Sequence, residues 1–247
     1  MSRPGVVVTG SARGIGRGIA ERLARDGRRV WCLDVDETRL TAVVEGLRRE
    51  GLDVESVLCD VGDIDAIHRA WDEIRTRDGC VAALVNDAGI FSRVPALEVT
   101  AEDWDRVLTV NLRGAFFMAQ YAARLMVASG TGGTVLSVAS GQAFRPSSVG
   151  VSYAASKAAL VNLTRALATE WGPLGIRVNT VVPGLTDTAQ PRAVKGDADF
   201  VRAAAATPLR RLGTPADVAA LVTFLLSDEA AYVTGQAFAV NGGRVML

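Results

Sequence analysis

Histidine is nearly absent from this chain: among 247 residues only His68 is present. A lone histidine argues against a Ser–His–Asp hydrolase and against a His-ligated zinc site, so no metal is expected. Cysteine is scarce too. Cys32, Cys59 and Cys80 have no CxxC spacing, and two of them fall in apolar strand-like runs, which reads as buried thiols in a reducing compartment. Net charge is missing altogether: 27 Lys+Arg balance 27 Asp+Glu, and nothing recommends nucleic acid as a partner. No apolar run approaches the ~20 residues a membrane span requires. The opening Met-Ser-Arg-Pro-Gly leads into a strand with no signal-peptide pattern, so a cytoplasmic protein is expected. Linkers, internal repeats and low-complexity segments are also lacking.

What remains is an alternation of short apolar runs with amphipathic stretches. Val6–Thr9, Arg29–Asp34, Val54–Cys59, Val81–Val85, Gly133–Ala139 and Ile176–Val182 read as strands. Helical patterns follow the glycine turn to about Asp26, then run over Thr38–Glu50, about Asp63–Arg77, from Thr100 to before Ser129, and from Tyr153 onward. Thr100-Ala-Glu-Asp103 has the pattern of a capping box. Such alternation predicts an α/β fold: a Rossmann-type doubly wound parallel sheet with helices on both faces, in a single domain spanning residues 1–247. A chain of this length buries roughly 70% of its unfolded surface, enough for that architecture.

Three stretches carry chemistry. Tyr153 and Lys157, four apart on a helical pattern, share one helix face. A phenol of ordinary pKa ~10 is a poor acid–base group at neutral pH, and an adjacent ammonium favours its phenolate. Ser140 ends a buried strand, where its hydroxyl could hold the oxygen that Tyr153 protonates. Tyr-x-x-x-Lys also arises by chance, so the rest of the chain must decide. Thr9-Gly10-Ser-Ala-Arg-Gly14-Ile-Gly16 lies between a strand and a helix, where glycines let backbone approach a pyrophosphate and the helix N-terminus offers free N–H groups. Asp34 ends the second strand, 18 residues beyond Gly16, where a carboxylate can accept both adenosine-ribose hydroxyls.

Thr9-Gly-x-x-x-Gly-Ile-Gly16, Asn86-Asp-Ala-Gly89, Asn111, Ser140, Tyr153-x-x-x-Lys157 and Pro183-Gly184 together resemble the short-chain dehydrogenase/reductase family, and the likeness extends through Val233-Thr-Gly-Gln236 and Asn241-Gly-Gly243. The resemblance implies a nicotinamide cofactor and hydride transfer between a secondary alcohol and its ketone. It makes Tyr153 the general acid/base. Lys157 would tune Tyr153 and hold the nicotinamide ribose, Ser140 would orient the substrate oxygen, and the backbone of Asn111 would position a water on the proton path. Asn111 can equally be a polar residue kinking a long helix. For the cofactor the resemblance implies Gly10, Arg13, Gly14, Ile15 and Gly16 in the first turn and Asp34 on the ribose. Asp60 and Val61 would lie at the adenine, with a helix-capping Asp60 as the alternative. Asn86, Ala88 and Gly89 would follow the fourth strand, and Pro183, Gly184, Thr186 and Thr188 would reach the nicotinamide end. Two positions depart from the family pattern: Asp87 stands where Asn is usual, and Thr186 replaces a branched apolar residue.

NAD is the expected cofactor, because Asp34 opposes the extra phosphate of NADP. Arg13 could offset part of that repulsion or be a solvated side chain. Substrate contacts are expected from Ser140, Gln142, Phe144, Tyr153 and Leu185, with Phe91 nearby. Their small and apolar character suggests a compact or moderately hydrophobic alcohol or ketone. Arg93 and Arg145 could meet an anion or be solvated. Residues 189–213 read as a mobile substrate lid. Small residues on two long helices (Ala119, Ala122, Ala123, Ala158, Ala159, Ala166) permit close helix approach, and the resemblance implies that these helices are buried between copies in a homotetramer, with packing within one chain as the alternative. Two other readings stay open. One is a fatty-acid-type 3-oxoacyl reductase using NADPH, ranked second because Thr131 and Leu174 are uncharged where such enzymes commonly carry bases. The other is a non-catalytic NAD-binding regulator.

Overall fold

The computed structural model describes residues 4–145, 148–189 and 196–246. Among them, seven strands form one parallel sheet: β1 (Gly5–Thr9), β2 (Val30–Asp34), β3 (Val54–Leu58), β4 (Val81–Asn86), β5 (Gly133–Val138), β6 (Ile176–Pro183) and β7 (Ala237–Val240). Their order is β3-β2-β1-β4-β5-β6-β7. The inner strands are Val-rich and buried on both sides, as parallel strands covered by helices must be. The chain runs outward from β1 to β3, then returns to place β4 on the other flank of β1. The register Thr9↔Asn86 brings the carboxyl ends of β1 and β4 level. A crevice opens at such a reversal, and every functional stretch read from the sequence ends near it.

Two helical layers cover the sheet. On one face α1 (Gly14–Arg25), α2 (Glu37–Arg49) and α8 (Pro215–Leu225) bury Ile19, Leu23, Leu40, Val44, Val222 and Leu225 against Val6, Val8 and Cys32. On the other, α3 (Ile64–Asp78), α5 (Ala115–Ser129) and α6 (Val151–Trp171) bury Ile67, Trp71, Met118, Met126, Leu167 and Trp171 against Val7, Leu84 and Val135. Each large apolar side chain so buried contributes about 1.5–3 kcal/mol relative to exposure. The expected helix from Thr100 to Ser129 begins as read, with Thr100 Oγ1 accepting from Asp103 N at 3.2 Å. It then passes through α4 (Ala101–Leu108) and a π-turn (Thr109–Gly114) before α5. At Gly114, which closes that turn, a Cβ would lie 2.2 Å from Val61 O, so glycine is what lets the β3–α3 loop approach the helix there.

The sequence reading left β7, α7 (Asp197–Ala205) and α8 undrawn. Of the expected lid, residues 190–195 lie outside the described residues. The remainder contains α7, which buries Phe200 and Ala203, and a bridge from Thr186 to Gly213. Half of the proposed interface alanines face inward: Ala119, Ala122 and Ala123 pack in the core of this chain. Those three are corrected here. Ala158 and Ala166 are exposed, and Ala159 is half-buried. Among the described residues, no helix is long and apolar enough to cross a membrane.

Candidate active site

The first turn is shaped by glycine. Gly10 (φ +71°) and Gly14 (φ +62°) adopt the left-handed region. A Cβ at Gly10 would stand 2.9 Å from Ala88 N, and one at Gly16 would stand 2.3 Å from Gly10 O and 2.7 Å from Asp87 Oδ2. Arg13 is the extended N-cap residue of α1, with no side-chain cap and no acid in the first turn. The N-terminus of α1 is therefore left without a local acidic side chain, the arrangement a pyrophosphate fits.

At the end of β2, Asp34 is fixed by two backbone donors: Ala12 N donates to Oδ2 at 2.9 Å and Asp36 N to Oδ1 at 3.0 Å. A carboxylate offers about four lone-pair sites, so each oxygen keeps one for a further donor. Asp34 and the glycine cradle together fit a dinucleotide. Arg13 is exposed at the cleft and near enough to Asp36 to help hold that carboxyl below its usual range, behind the larger effect of the Arg39 backbone N–H. Asp60 is not the helix cap of the alternative reading. It closes its own turn by accepting from Gly62 N at 2.8 Å, while Asp63 caps α3.

The segment after β4 is clamped from three sides. Thr9 Oγ1 accepts from both Asp87 N and Ala88 N at 3.1 Å, and Asn86 Nδ2 donates to Ala115 O at 2.9 Å. Asn111, in the π-turn, accepts from Ile90 N at 2.8 Å and donates to Ile90 O at 2.9 Å and to Ser156 Oγ at 3.1 Å. Ser156 Oγ in turn donates to Tyr153 O at 2.7 Å. The Asn111 side chain thus ties the β4 loop to the helix carrying Tyr153 and Lys157. The sequence reading missed Ser156, although its position one before Lys157 in the Tyr-x-x-x-Lys run was in view.

Ser140 follows β5 and accepts from Gln142 N at 3.2 Å. Its hydroxyl also lies close enough to the Tyr153 phenol to favour the phenolate. Lys157 is buried, donating from Nζ to Val138 O at 2.8 Å, and lies 5.7 Å from the centre of the Tyr153 ring. Burial pushes the Lys157 ammonium down to about 8, opposed by the charge of Asp87. Tyr153 stands above its ordinary value: burial raises it, the Ser140 hydroxyl lowers it, and Asp87 raises it further. The expected downward pull of Lys157 is not among these effects; desolvation of the phenolate is the largest. Phe91 packs edge-on to Tyr153, with ring centres 4.8 Å apart.

These groups line one cleft of about 480 Å³. Gly10, Arg13, Gly14, Ile15, Asp34, Asp60, Val61, Ala88 and Gly89 line it toward β1–β3, and Ser140, Tyr153, Lys157, Pro183, Gly184 and Thr188 toward β5–β6. Gly16, Asn86, Asn111 and Thr186 do not line it; they stand behind it as spacer, clamp or, for Thr186, a hydroxyl donating to Gly184 O at 3.2 Å. Of the expected substrate contacts, Ser140 and Tyr153 line this cleft, and Gln142, Phe144 and Leu185 are outside its lining. Asp87, Arg106 and Cys59 line it without having been assigned a role. Arg106 has no motif around it, and only the fold brings α4 to the cleft. Cys59 is inert, its thiol pushed up to about 12 by burial, with Asp60 and Asp63 adding to the effect.

Residues 10–244 match a family model described as enoyl-(acyl carrier protein) reductase. Among curated relatives, the chain is 34% identical to the sorbitol dehydrogenase of Cereibacter sphaeroides over 97% of this chain and 96% of that protein. It is 36% identical to a 3-oxoacyl-[acyl-carrier-protein] reductase of Mycobacterium tuberculosis, over 98% and 92%. Among solved structures, it superposes with a TM-score of 0.92 on a gluconate 5-dehydrogenase from Burkholderia cenocepacia in complex with NADP and tartrate. That pair is 32% identical over 99% of this chain and 96% of the other.

Proposed function

The chain belongs to the short-chain dehydrogenase/reductase family of nicotinamide-dependent oxidoreductases, and from that premise we propose that it interconverts a secondary alcohol and its ketone with NAD as the preferred cofactor. The observation that carries the chemistry is the placing of Ser140, Tyr153 and a buried Lys157 together in the cleft that also holds the glycine cradle. A bound nicotinamide supplies the hydride acceptor or donor. Ser140 holds the substrate oxygen by its hydroxyl and stabilises charge developing there. In the oxidation direction Tyr153 takes the hydroxyl proton; in reduction it returns one. Lys157 holds the ribose hydroxyls and, with its ammonium, favours the phenolate once the cleft is filled. The Asn111 clamp keeps Ile90 and Tyr153 in register. Sorbitol and gluconate dehydrogenases among the relatives support an alcohol carrying neighbouring hydroxyls.

Cofactor choice rests on Asp34. Two unit charges about 4 Å apart repel by roughly 4 kcal/mol at an effective dielectric of ~20, and the extra phosphate of NADP carries more than one. Arg13 and Arg106 stand at the same cleft, but Arg13 has Asp36 nearby and Arg106 has Asp103 at 3.6 Å. Steady-state kcat/KM should therefore favour NAD by at least about tenfold, equivalent to ~1.4 kcal/mol. The second reading, 3-oxoacyl reduction with NADPH, is favoured by the reductase relatives and the NADP-bound neighbour. Its carrier-facing positions Thr131 and Leu174 are exposed but uncharged. Equal or better activity with NADP would put it first.

The assembly we propose is a homotetramer in the cytoplasm. An apolar groove formed by Leu108, Leu112, Phe116 and Leu163, with Ala159 and Ala166, lies open between α4–α5 and α6. Light scattering at micromolar concentration should give four copies, and a monomer would overturn the assembly. Residues 189–213 complete the reading as a closing segment over the substrate.

A further inference from the structure

One acid in the cleft has no role in the chemistry above. Asp87 follows β4, its backbone held by Thr9 Oγ1. Its carboxylate reaches under the glycine turn, where the Gly16 backbone N–H favours its ionised form, and its Oδ2 stands only 2.7 Å from where a Gly16 Cβ would stand. Because α1 has neither a side-chain cap nor an acid in its first turn, Asp87 supplies from another strand the negative charge that this helix start lacks. On its other side it faces the charge of Lys157 on α6, and the field of Asp34 on β2 reaches it as well. Tyr153, also on α6, feels its charge in turn.

From this placement we propose that Asp87 couples dinucleotide binding to proton uptake: it is ionised in the free cleft and takes up a proton when a pyrophosphate occupies the N-terminus of α1. The inference rests on the dinucleotide reading of the cleft. A diphosphate at the α1 N-terminus and the half-buried Asp87 carboxylate seek the same helix charge, and they repel each other across the cleft that Asp87 lines. Of the two, only the carboxyl can relieve that conflict by binding a proton near neutral pH. Enclosure already pushes it up to about 7, with Lys157 and the Gly16 N–H opposing and Asp34 adding to the rise. An asparagine would fill the same space but could not change charge.

ADP-ribose, which carries the pyrophosphate without the nicotinamide, isolates this step. Its affinity is measured by calorimetry from pH 6.5 to 9, and infrared difference spectra of the same mixtures read the protonated-carboxyl stretch, to which Lys157 does not contribute. At pH 8 the wild-type protein should gain that band on binding, and Asp87→Asn should not. Wild-type affinity should fall by up to tenfold per pH unit above the midpoint of Asp87, and the variant should show a shallower fall. Binding without the band, or equal pH dependence in both proteins, would overturn the coupling while leaving the dinucleotide site intact. Failure of ADP-ribose, NAD and NADP to bind the wild-type protein at any pH would overturn both readings.

Discussion

Two neighbouring glycines separate backbone conformation from close packing as determinants of the cofactor cradle. Gly14 has φ +62° but ample room, because the nearest atoms to an added Cβ belong to Thr188 at 3.8 Å. Alanine there should cost about 1–2 kcal/mol of left-handed strain and little more. Gly16 has no such strain, yet its Cβ would stand 2.3 Å from Gly10 O and 2.7 Å from Asp87 Oδ2. To reach ordinary contact the α1 start must move by about an ångström, at an overpacking cost of roughly 1–3 kcal/mol. That shift carries the N–H groups of the first turn away from the pyrophosphate, so dinucleotide affinity should fall by about 10–100-fold for Gly16→Ala. For Gly14→Ala the fall should be several-fold. Urea denaturation of the free proteins and calorimetric NAD titration measure both effects. If Gly16→Ala bound NAD within threefold of wild type, the cradle argued from these contacts would be wrong.

Further outcomes are expected elsewhere in the molecule. Asn111→Ala should destabilise the fold by about 2–4 kcal/mol, because it leaves the Ile90 N–H and C=O, both bonded at under 3 Å, without partners; thermal denaturation checks this. Asp34→Ala should erode the NAD preference and leave the Ala12 and Asp36 N–H groups unpaired, which ratios of kcat/KM for the two cofactors would register. Asp87 is raised in the folded protein, so the folded state binds more protons than the unfolded one between about pH 4 and 7. Its contribution to stability therefore falls as pH rises through that window, and Asp87→Asn should lack this part of the decline when unfolding is measured at pH 5 and 7.5. Thr214→Ala should cost about 1 kcal/mol, because it removes the cap of α8 that Thr214 and Asp217 form reciprocally.

The sheet was legible because its inner strands are short, largely apolar runs such as Val6-Val-Val8 and Val81-Ala-Ala-Leu-Val85, and the crossovers between them are amphipathic. The candidate catalytic positions were legible through the resemblance: periodicity puts Tyr153 and Lys157 on one helix face and Ser140 at a strand end, and the family motifs in order give them roles. β7 was not drawn, because Ala237-Phe-Ala-Val240 is short and only partly buried at the sheet edge. The π-turn was invisible because no residue pattern marks it, and the closeness of Val61 O that requires glycine at position 114 is a tertiary contact. For the same reason the inward packing of Ala119, Ala122 and Ala123 could not be told from an interface, since small residues allow close approach on either side of a helix. Arg106 and Cys59 reach the cleft only through the topology. The charge states of Tyr153 and Lys157 depend on burial, which spacing does not reveal.

The central claim is hydride transfer from an alcohol with Tyr153 as the proton acceptor. Its most direct test follows reduced-nicotinamide absorbance with NAD and a panel of secondary alcohols, including sorbitol and gluconate, at mildly alkaline pH, for wild type and Tyr153→Phe. The phenyl ring keeps the packing against Phe91 and removes the hydroxyl that shares the cleft with Ser140. The account predicts turnover by the wild type and a loss in kcat of about 10²–10⁴-fold or more in the variant, with NAD affinity little changed. A variant retaining more than a tenth of wild-type turnover, or a wild type that binds NAD yet oxidises nothing in the panel, would contradict it.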